Sequence, residues 1–525
     1  MDVSSKSSIE NKHNIRKQKG DKSTEYKIAK AESKKLVRKD KLEHVEKQMD
    51  IINTLPPHKQ YYAAIKRLKS KPKNISWGIK DKDGEILTNK TKILERWAEF
   101  YEELYKDQPN YIVIDDSQED VIPIILRSEV EHAIKEMKPG KSPGLDRIYS
   151  EYLKAGGEPL TNALLYLFNQ ILKTGEIPKE FKEALIIVIH KKNSRLDCGN
   201  YRPISLLSHI YKVFMSIISS RIKHDLYSSF PASQAAYQPK RGTIEQILAL
   251  EQIIEKSIEF NNPVHIAFID FTKAFDSIKL NCLWKLLEKT NVNKRYIKLL
   301  KLTYDDSEAT IKTDMGLTRS VRILKGVKQG DILSALLFCI IIAAIITKSE
   351  ECQSGFSIGG QLLSNLSYAD DIALINSKSN DLQQFIDPLV KHSAEVGLHI
   401  NVSKTECMST NPDTILSLYI NNKQIKQVNE FVYLGYKLSA SNNGLTAVKH
   451  RIGLGWAAFE KNKPLLKSKR IAYRTKKNIY NTYILPVILY GLECVNWTPN
   501  TIQKLEVFQN SIIRHMMNKR MTMLQ

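Results

Sequence analysis

The chain has 525 residues, which is enough for about three domains and a large core. Its formal net charge of +22 and its sequence pI of about 9.4 indicate a polyanionic partner, because an excess of this size repels itself without counter-charge. The six cysteines form no Cys-x-x-Cys pair and have no histidine at ligand spacing. This pattern implies no zinc site or disulfide framework and fits a reducing compartment.

The N-terminal region is polar and lacks an apolar secretory segment. Residues 1–50 are rich in Lys, Glu and Ser, a composition that predicts either a disordered tail or a solvated helix near residues 29–48. A basic arm on nucleic acid is one function that this region leaves open. The longest apolar run, residues 332–346, is shorter than the ~20 residues that a bilayer requires. It predicts a buried helix and no membrane partner.

Helical patterns separated by a turn-rich break follow along the chain. Apolar residues at helical spacing over residues 93–104 predict a helix that docks through aromatic side chains. Residues 138–146 contain two Pro-Gly pairs and predict a break between helices. Residues 150–154 and 160–173 predict two further helices.

A basic hairpin is predicted next. Residues 184–190 form an apolar run that predicts a buried strand, and Lys191 and Lys192 follow it directly. Residues 200–207 predict a returning strand that carries Arg202. Paired lysines alone would indicate a solvated surface. A strand, a basic loop and a returning strand together predict a hairpin that closes over a triphosphate, with Arg202 able to bind two phosphate oxygens.

An isolated carboxylate then ends a predicted strand. Residues 264–269 are a short apolar run of strand type, and Asp270 follows it. Taken alone, Asp270 would be interpreted as the cap of a helix predicted over residues 272–287. A carboxylate at the end of a buried strand is also held in a fixed position, so it can serve a reaction.

The second carboxylate group lies in residues 366–374. Apolar residues alternate on both sides of Asp370 and Asp371, which predicts a half-buried hairpin with the pair at its tip. Asp pairs are common in turns, but two carboxylates held together repel each other unless a cation neutralises them. Together with Asp270 they predict a site for two Mg²⁺ ions roughly 4 Å apart, with Mn²⁺ as the alternative.

Taken in order, these blocks resemble the reverse transcriptase of non-LTR (LINE-type) retrotransposons. Residues 268–276 resemble its motif A and residues 368–371 its motif C, and the similarity is collinear from about Trp77 to the C-terminus. The Tyr-Ala-Asp-Asp tetrapeptide alone is a weak signal. Its order and spacing relative to the other blocks carry the resemblance.

The resemblance implies roles for individual residues. Asp270, Asp370 and Asp371 match the catalytic metal ligands, and Lys404 matches the residue that protonates the departing pyrophosphate or stabilises its charge. Phe275 matches the bulky residue that selects deoxynucleotides. The complete nucleotide-binding set that the resemblance implies is Lys191, Arg202, Arg241, Phe275 and Gln329.

The sequence departs from the family's pattern at a few positions. Gln238 stands where a basic residue is usual, and Ala236 stands where glycine is usual. Ile332 and Ala335 replace prolines that are common in the family. Asp276 is interpreted as structural, and the glycines of residues 326–330 are expected to let the backbone approach the nucleotide and template closely.

The expected fold class is α+β: a right-hand polymerase with fingers, a palm of antiparallel sheet plus helices, and a helical thumb. Residues 1–75 are expected to form a basic N-terminal arm, partly disordered or helical, and residues 76–183 a linker and pre-fingers helical region. The reverse transcriptase fingers and palm are expected over residues 184–439. Residues 440–525 are expected to form the thumb, with a possible C-terminal truncation.

The function that follows is an RNA-directed DNA polymerase that uses an RNA template, a DNA primer or nicked target DNA, and dNTPs. An intracellular location is expected, in the nucleus and in cytoplasmic ribonucleoprotein. The alternative is a decayed or domesticated copy that only binds RNA, which the departures Gln238, Ile332 and Ala335 keep open. Enzymes of the group II intron or telomerase type are a third reading within the same chemistry.

Overall fold

The computed structural model describes residues 3–20, 23–54, 59–69, 78–107, 121–191, 193–350 and 354–518. Trp77 and Lys192 lie outside these ranges. The chain divides into two compact units, one of Met1–Lys73 with Asn443–Gln525 and the other of Asn74–Asn442. The four-part division expected from the sequence stays a prediction.

The helices are given in chain order. They are α1 (Val3–Lys19), α2 (Thr24–Thr54), α3 (Lys59–Lys69), α4 (Lys90–Tyr105), α5 (Arg127–Glu136), α6 (Ser150–Ala155), α7 (Gly157–Thr174), α8 (Lys179–Lys182), α9 (His209–Tyr227), α10 (Thr243–Glu259), α11 (Ala274–Ser277), α12 (Leu280–Leu287), α13 (Lys294–Tyr304), α14 (Ser334–Ser349), α15 (Ser379–Glu395), α16 (Gly444–Leu466), α17 (Tyr473–Tyr483), α18 (Leu485–Leu489) and α19 (Pro499–Met517).

The strands are numbered in the same way. They are β1 (Ile79–Lys80), β2 (Ile86–Leu87), β3 (Glu183–His190), β4 (Tyr201–Leu206), β5 (His265–Ile269), β6 (Glu308–Thr313), β7 (Gly316–Arg322), β8 (Phe356–Ile358), β9 (Gln361–Leu363), β10 (Asn365–Tyr368), β11 (Asp371–Asn376), β12 (Glu406–Ser409), β13 (Tyr419–Ile420), β14 (Lys423–Gln424), β15 (Lys426–Gln427), β16 (Glu430–Tyr433) and β17 (Tyr436–Ser439).

The sheet that carries the acidic residues, called the palm sheet, has five strands in the order β10-β11-β5-β12-β15. All its neighbours are antiparallel except β12 and β15. Every residue of β5 is buried, and so is every residue of β11 after Asp371. The alternation predicted for a half-buried hairpin is therefore wrong for β11, because this strand lies inside the sheet and is covered on both faces.

A second sheet, called the fingers sheet, has the order β4-β3-β6-β7. β3 and β4 form the predicted antiparallel hairpin, in which Ile189 pairs with Arg202 and His190 with Tyr201. β3 was predicted to be buried along its length, but its burial alternates and Ile189 is 50% exposed. This prediction is wrong because one face of β3 near the hairpin end is open to solvent.

The most apolar helix, α14, packs in the core of the larger unit. Twelve of its sixteen residues are buried, as expected for a helix that is hydrophobic on all sides. The helix predicted over residues 272–287 is broken into α11 and α12, and Lys273, the residue before α11, has a left-handed φ of +46°. Over the described ranges, no helix is long and apolar enough to cross a membrane.

The smaller unit is helical. α2 extends beyond the helix predicted near residues 29–48 and buries Tyr26, Ala29 and Ile52, so this segment is a packed element. Asn53 joins the two sequence segments of this unit, because its side-chain amide donates to the carbonyl of Arg470 over 3.0 Å. Its side-chain oxygen accepts from the backbone N–H of Ala472 over 3.2 Å.

Candidate active site

Asp270 is the first residue after β5, the central strand of the palm sheet. Its backbone is held on both sides: its N–H donates to the hydroxyl of Thr405 over 3.3 Å, and its carbonyl accepts from the N–H of Asn401 over 2.7 Å. Thr405 is fully buried immediately before β12. The carboxylate of Asp270 therefore projects from a fixed backbone, although its side chain is 38% exposed.

The hairpin β10–β11 brings the other two carboxylates to the same end of the sheet. Tyr368 pairs with Asp371, so that Ala369 and Asp370 form a two-residue turn. Ala369 has a φ of +56°, a left-handed conformation that costs an L-residue roughly 1–2 kcal/mol. Ile372 of β11 pairs with Ile269 of β5, and the next step along both strands places Asp371 beside Asp270.

Desolvation and like charge raise the pKa values of this group. The pKa of Asp370 is raised mainly by desolvation and further by the charge of Asp270. The pKa of Asp371 is raised to about 6, by desolvation first and then by the charges of Asp370 and Asp270. The charges of Arg202 and Lys191 lower the pKa of Asp370, so the basic hairpin of the fingers sheet acts electrostatically on the acidic hairpin.

The chemistry of these donors suits a hard divalent cation, because carboxylate oxygens that repel one another are stabilised by positive charge. Among the residues that the structure describes, no group of three or more His, Cys, Asp or Glu side chains is already arranged to hold a metal ion. Instead, the Nζ of Lys404 donates to Oδ2 of Asp270 over 3.0 Å. A lysine therefore supplies the counter-charge at Asp270, through one of its two carboxylate oxygens.

Two of the residues predicted to bind the nucleotide lie on the hairpin β3–β4: Lys191 directly follows β3, and Arg202 lies on β4. Lys191 and Arg202 are both exposed, and the N–H of Lys191 donates to the carbonyl of Asn200 over 3.0 Å across the hairpin. Arg241 lies elsewhere, at the start of α10. Its guanidinium donates to Glu245 over 2.8 Å and contacts the carbonyl of Ala232 at 3.3–3.4 Å. The structure thus gives Arg241 a local structural partner.

Gln329 and Phe275 also have partners within the protein. The side-chain amide of Gln329 donates to Oδ2 of Asp276 over 3.0 Å. Asp276 is buried, and burial raises the pKa of its carboxyl to about 6. The ring of Phe275 stacks on that of Phe338 in α14, with centroids 4.4 Å apart and planes 13° apart. Core packing of Phe275 is therefore observed.

The two glycines of this loop approach the protein's own backbone. A Cβ on Gly326 would lie 2.8 Å from the carbonyl oxygen of Asp276, and one on Gly330 would lie 2.6 Å from that of Ser205. Both glycines have positive φ, +86° and +121°. The N–H of Ser205 also donates to the carbonyl of Gln329 over 2.8 Å. The glycines thus let this loop, which precedes α14, pack against the backbone of β4 and α11.

Sequence reasoning missed the buried pair that anchors this loop. Lys328 is buried and donates to the carbonyl of Thr303 over 2.9 Å, and burial lowers its pKa to about 8. Asp331 is also buried and accepts from the hydroxyl of Tyr211 over 3.2 Å and from the N–H of Ile332 over 2.7 Å. The only sequence signal was a Lys and an Asp next to a long apolar helix, a position where charge requires a partner.

The basic residues clustered at positions 461–477 of the smaller unit divide into two groups. Lys463 pairs with Glu460, Arg470 pairs with Glu46, and Lys476 is buried and donates to the carbonyl of Met516 over 2.6 Å. These three cations stabilise the helices of the smaller unit. The remaining cations of this cluster are exposed: Lys461, Lys467, Lys469, Arg474 and Lys477.

An antiparallel palm sheet with three carboxylates at one end, and cations acting on them from a second hairpin, is the architecture of a nucleotidyl-transfer polymerase. Comparison with known proteins identifies the class more closely. Residues 189–438 match the family described as "Reverse transcriptase (RNA-dependent DNA polymerase)". Residues 189–438 therefore carry a reverse transcriptase domain, which confirms the expected reverse transcriptase family and the α+β right-hand polymerase fold class for this domain.

Two curated relatives illustrate this similarity. The RNA-directed DNA polymerase from mobile element jockey of Drosophila funebris is 25% identical over 416 residues, which cover 75% of this chain and 44% of the relative. The probable RNA-directed DNA polymerase from transposon BS of Drosophila melanogaster is 27% identical over 410 residues, with shares of 74% and 44%. The chain therefore spans less than half the length of these relatives.

A solved structure is also similar. The apo telomerase of Candida tropicalis matches with a TM-score of 0.38 and 13% sequence identity, over 69% of this chain and 68% of that one.

Proposed function

We propose that this chain is an RNA-directed DNA polymerase of a non-LTR mobile element. It would add deoxynucleotides to the 3′-hydroxyl of a primer, either a DNA primer or nicked target DNA, on an RNA template. The supporting observation is the convergence of Asp270, Asp370 and Asp371 at one end of the palm sheet, where register and mutual electrostatic effects link all three.

Asp270, Asp370 and Asp371 would hold two divalent cations, Mg²⁺ or Mn²⁺. When bound, these ions would supply the positive charge that stabilises an in-line displacement at phosphorus. Other residues of the protein would bind and orient the nucleotide. Lys191 and Arg202 would bind the triphosphate, because both are exposed on the hairpin whose charge acts on Asp370.

Lys404 would serve twice in this proposal. It pairs with Asp270 in this structure, and with a cation held by the carboxylates its ammonium group would be available to donate a proton to the departing pyrophosphate. Arg241, Phe275 and Gln329 remain nucleotide-binding residues in the proposal. Each of them would have to extend or exchange a contact that it makes within the protein, with Glu245, Phe338 and Asp276 respectively.

The hairpin β16–β17 is the proposed support for the end of the primer. Phe431 of β16 stacks on Phe268 of β5 with ring centroids 3.9 Å apart, two residues before Asp270. A primer held by this hairpin would therefore end near the carboxylates. Since the template is RNA and the target is DNA, we place the activity in the nucleus and in cytoplasmic ribonucleoprotein.

Primer extension tests the proposal directly. The native protein, Asp370→Asn and the exposed control Asp387→Asn on α15 are compared on an RNA template with dNTPs and Mg²⁺. Extension that is lost only in Asp370→Asn, with RNA binding retained, is the expected result. If the native protein binds RNA tightly and in a salt-sensitive way but extends no primer, the polymerase proposal is overturned and the RNA-binding alternative stands.

A further inference from the structure

A short segment after α9 lies against the hairpin that carries Asp370 and Asp371. Gln234 forms a parallel bridge with Ser367 of β10. The N–H of Ala235 donates to the carbonyl of Ser367 over 2.9 Å, and the N–H of Ser367 donates to the carbonyl of Ser233 over 3.0 Å. Residues 233–236 therefore extend the palm sheet beyond β10, at the end where the turn lies.

The side chain of Gln234 reaches into that turn. It is fully buried, and its Oε1 accepts two backbone hydrogen bonds, from the N–H of Ala236 and from the N–H of Ala369, each over 3.0 Å. Ala369 is the residue with a left-handed backbone, and Asp370 follows it directly. One side-chain oxygen thus joins residues 233–236 to the first residue of the turn.

This contact is important because the residues of the turn do not favour its backbone conformation on their own. Glycine adopts positive φ without penalty, but alanine does so only when surrounding contacts hold it there. A buried backbone N–H also requires an acceptor, and Gln234 provides it for Ala369. A neutral acceptor suits this place, because a carboxylate at position 234 would add negative charge beside Asp370 and Asp371.

We propose that Gln234 is a positioning residue, which fixes the turn of the hairpin and thereby the placement of Asp370 and Asp371. The inference rests on the proposed polymerase function for its catalytic consequence, and on the two hydrogen bonds of Oε1 for its structural part. Gln234 touches no reacting atom; it acts through the backbone of Ala369.

A matched pair of variants tests this role. Gln234→Met keeps the side-chain length and removes the acceptor. Gln246→Met makes the same change at another buried glutamine, on α10, whose Oε1 has no hydrogen-bond partner within the described part of the chain. We expect Gln234→Met to lower kcat for primer extension ~10- to 100-fold, since misplacement of a reacting group by about 1 Å has an effect of this order. The KM for dNTPs and the affinity for RNA should stay within about twofold.

Ala369→Gly provides the rescue. Because glycine takes positive φ without the help of Gln234, the double variant Gln234→Met/Ala369→Gly should recover at least several-fold of the lost kcat. A packing defect at position 234 would not respond to this change. Equal kcat in Gln234→Met and Gln246→Met, or no recovery in the double variant, would overturn the proposal.

Hydrogen–deuterium exchange of residues 366–374 separates this inference from the polymerase proposal. Exchange should be faster in Gln234→Met than in the native protein, and unchanged in Gln246→Met. If this difference is found in a protein that extends no primer, the positioning role of Gln234 is supported and the polymerase proposal fails. Unchanged exchange in Gln234→Met contradicts the positioning role of Gln234, whether or not the protein extends a primer.

Should Gln234→Met fail to fold, Gln234→Asn replaces it in the same measurement. Asparagine keeps a neutral amide but is one methylene shorter, which draws the acceptor away from the N–H of Ala369, so exchange of residues 366–374 should again be faster than in the native protein. Unchanged exchange in a folded Gln234→Asn protein would contradict the assignment of Oε1 as the acceptor that fixes the turn.

Discussion

The two hairpins of the larger unit differ in how they hold their charges. The acidic hairpin β10–β11 closes through a two-residue turn in the five-stranded palm sheet, and Gln234 binds the turn. The basic hairpin β3–β4 closes through a longer connection between Lys191 and Asn200, and Lys191 and Arg202 on this hairpin are exposed. Carboxylates that must act together are held by buried contacts, whereas cations that must meet an incoming polyanion are left accessible.

This difference has an electrostatic counterpart. The pKa of Asp371 rises to about 6, mainly through desolvation and then through the negative charges of Asp370 and Asp270. Exposed cations are screened by solvent and salt, so their mutual repulsion costs little. Any change of charge on the acidic hairpin should therefore alter activity or stability. On the basic hairpin, only changes that remove phosphate contacts should alter activity.

The largest effect is expected at Asp270. Asp270→Asn removes one charge from the proposed cation site and the partner of Lys404, and should lower kcat for primer extension ~10³-fold or more, equivalent to about 4 kcal/mol of transition-state stabilisation. Single-turnover extension measures it. Asp387→Asn, with an exposed carboxylate on α15, is the control. Activity within tenfold of the native protein would remove Asp270 from the proposed chemistry.

Lys404→Ala should have the next largest effect. Loss of a general acid typically lowers the rate by ~10²-fold or more, and the change should appear in kcat while the KM for dNTPs changes little. Lys426→Ala is the control, because Lys426 is another exposed lysine of the palm sheet, paired with Glu406 at 3.1 Å. A rise in KM without a fall in kcat would show that Lys404 binds the nucleotide and does not act on the leaving group.

On the basic hairpin, Arg202→Ala should raise the KM for dNTPs ~10-fold, because a charge-assisted contact to phosphate contributes about 1.5 kcal/mol or more. Arg202→Lys should retain part of the affinity, since it keeps the charge and loses the two-pronged geometry. Lys312→Ala, an exposed cation on β6 of the same sheet, should leave KM unchanged. Equal effects of Arg202→Ala and Lys312→Ala on the KM would show that Arg202 acts only through the overall positive charge of the sheet and makes no specific phosphate contact.

The smallest effect concerns stability. The pKa of Asp371 is higher in the folded protein than in the unfolded chain, so the folded state binds the proton more tightly, and stability falls as pH rises from about 4 to about 6. Although desolvation raises its pKa, Asp371 lies at the exposed end of β11, so solvent screening limits the loss to about 1 kcal/mol. Asp371→Asn should therefore stabilise the metal-free protein by about this amount at pH 8, and should not at pH 4.

Denaturant unfolding at the two pH values measures this change, and added Mg²⁺ provides a second reading. Ions that bind only the folded state raise its stability, so Mg²⁺ should stabilise the native protein more than Asp371→Asn. An equal response of both proteins to Mg²⁺ would show that Asp371 is not part of the cation site.

The sequence alone determined the elements that carry the candidate site. A strand ending at Asp270, a hairpin around Asp370 and Asp371, and a strand pair around Lys191 were all predicted and are found. Apolar periodicity and turn residues encode such local features directly, because they depend on neighbouring residues. The family resemblance follows from the order of these blocks along the chain.

Only the tertiary structure decided which side chains meet. Lys404 and Asp270 are 134 residues apart, and Gln234 and Ala369 are 135 apart. No periodicity reports contacts over such separations, since they depend on how the strands are ordered in the sheet. The break between α11 and α12 and the burial of both faces of β11 have the same origin. The local sequence pattern thus identified the carboxylates. Only the order of the strands in the sheet showed that Lys404 contacts Asp270 and that Gln234 contacts the turn before Asp370.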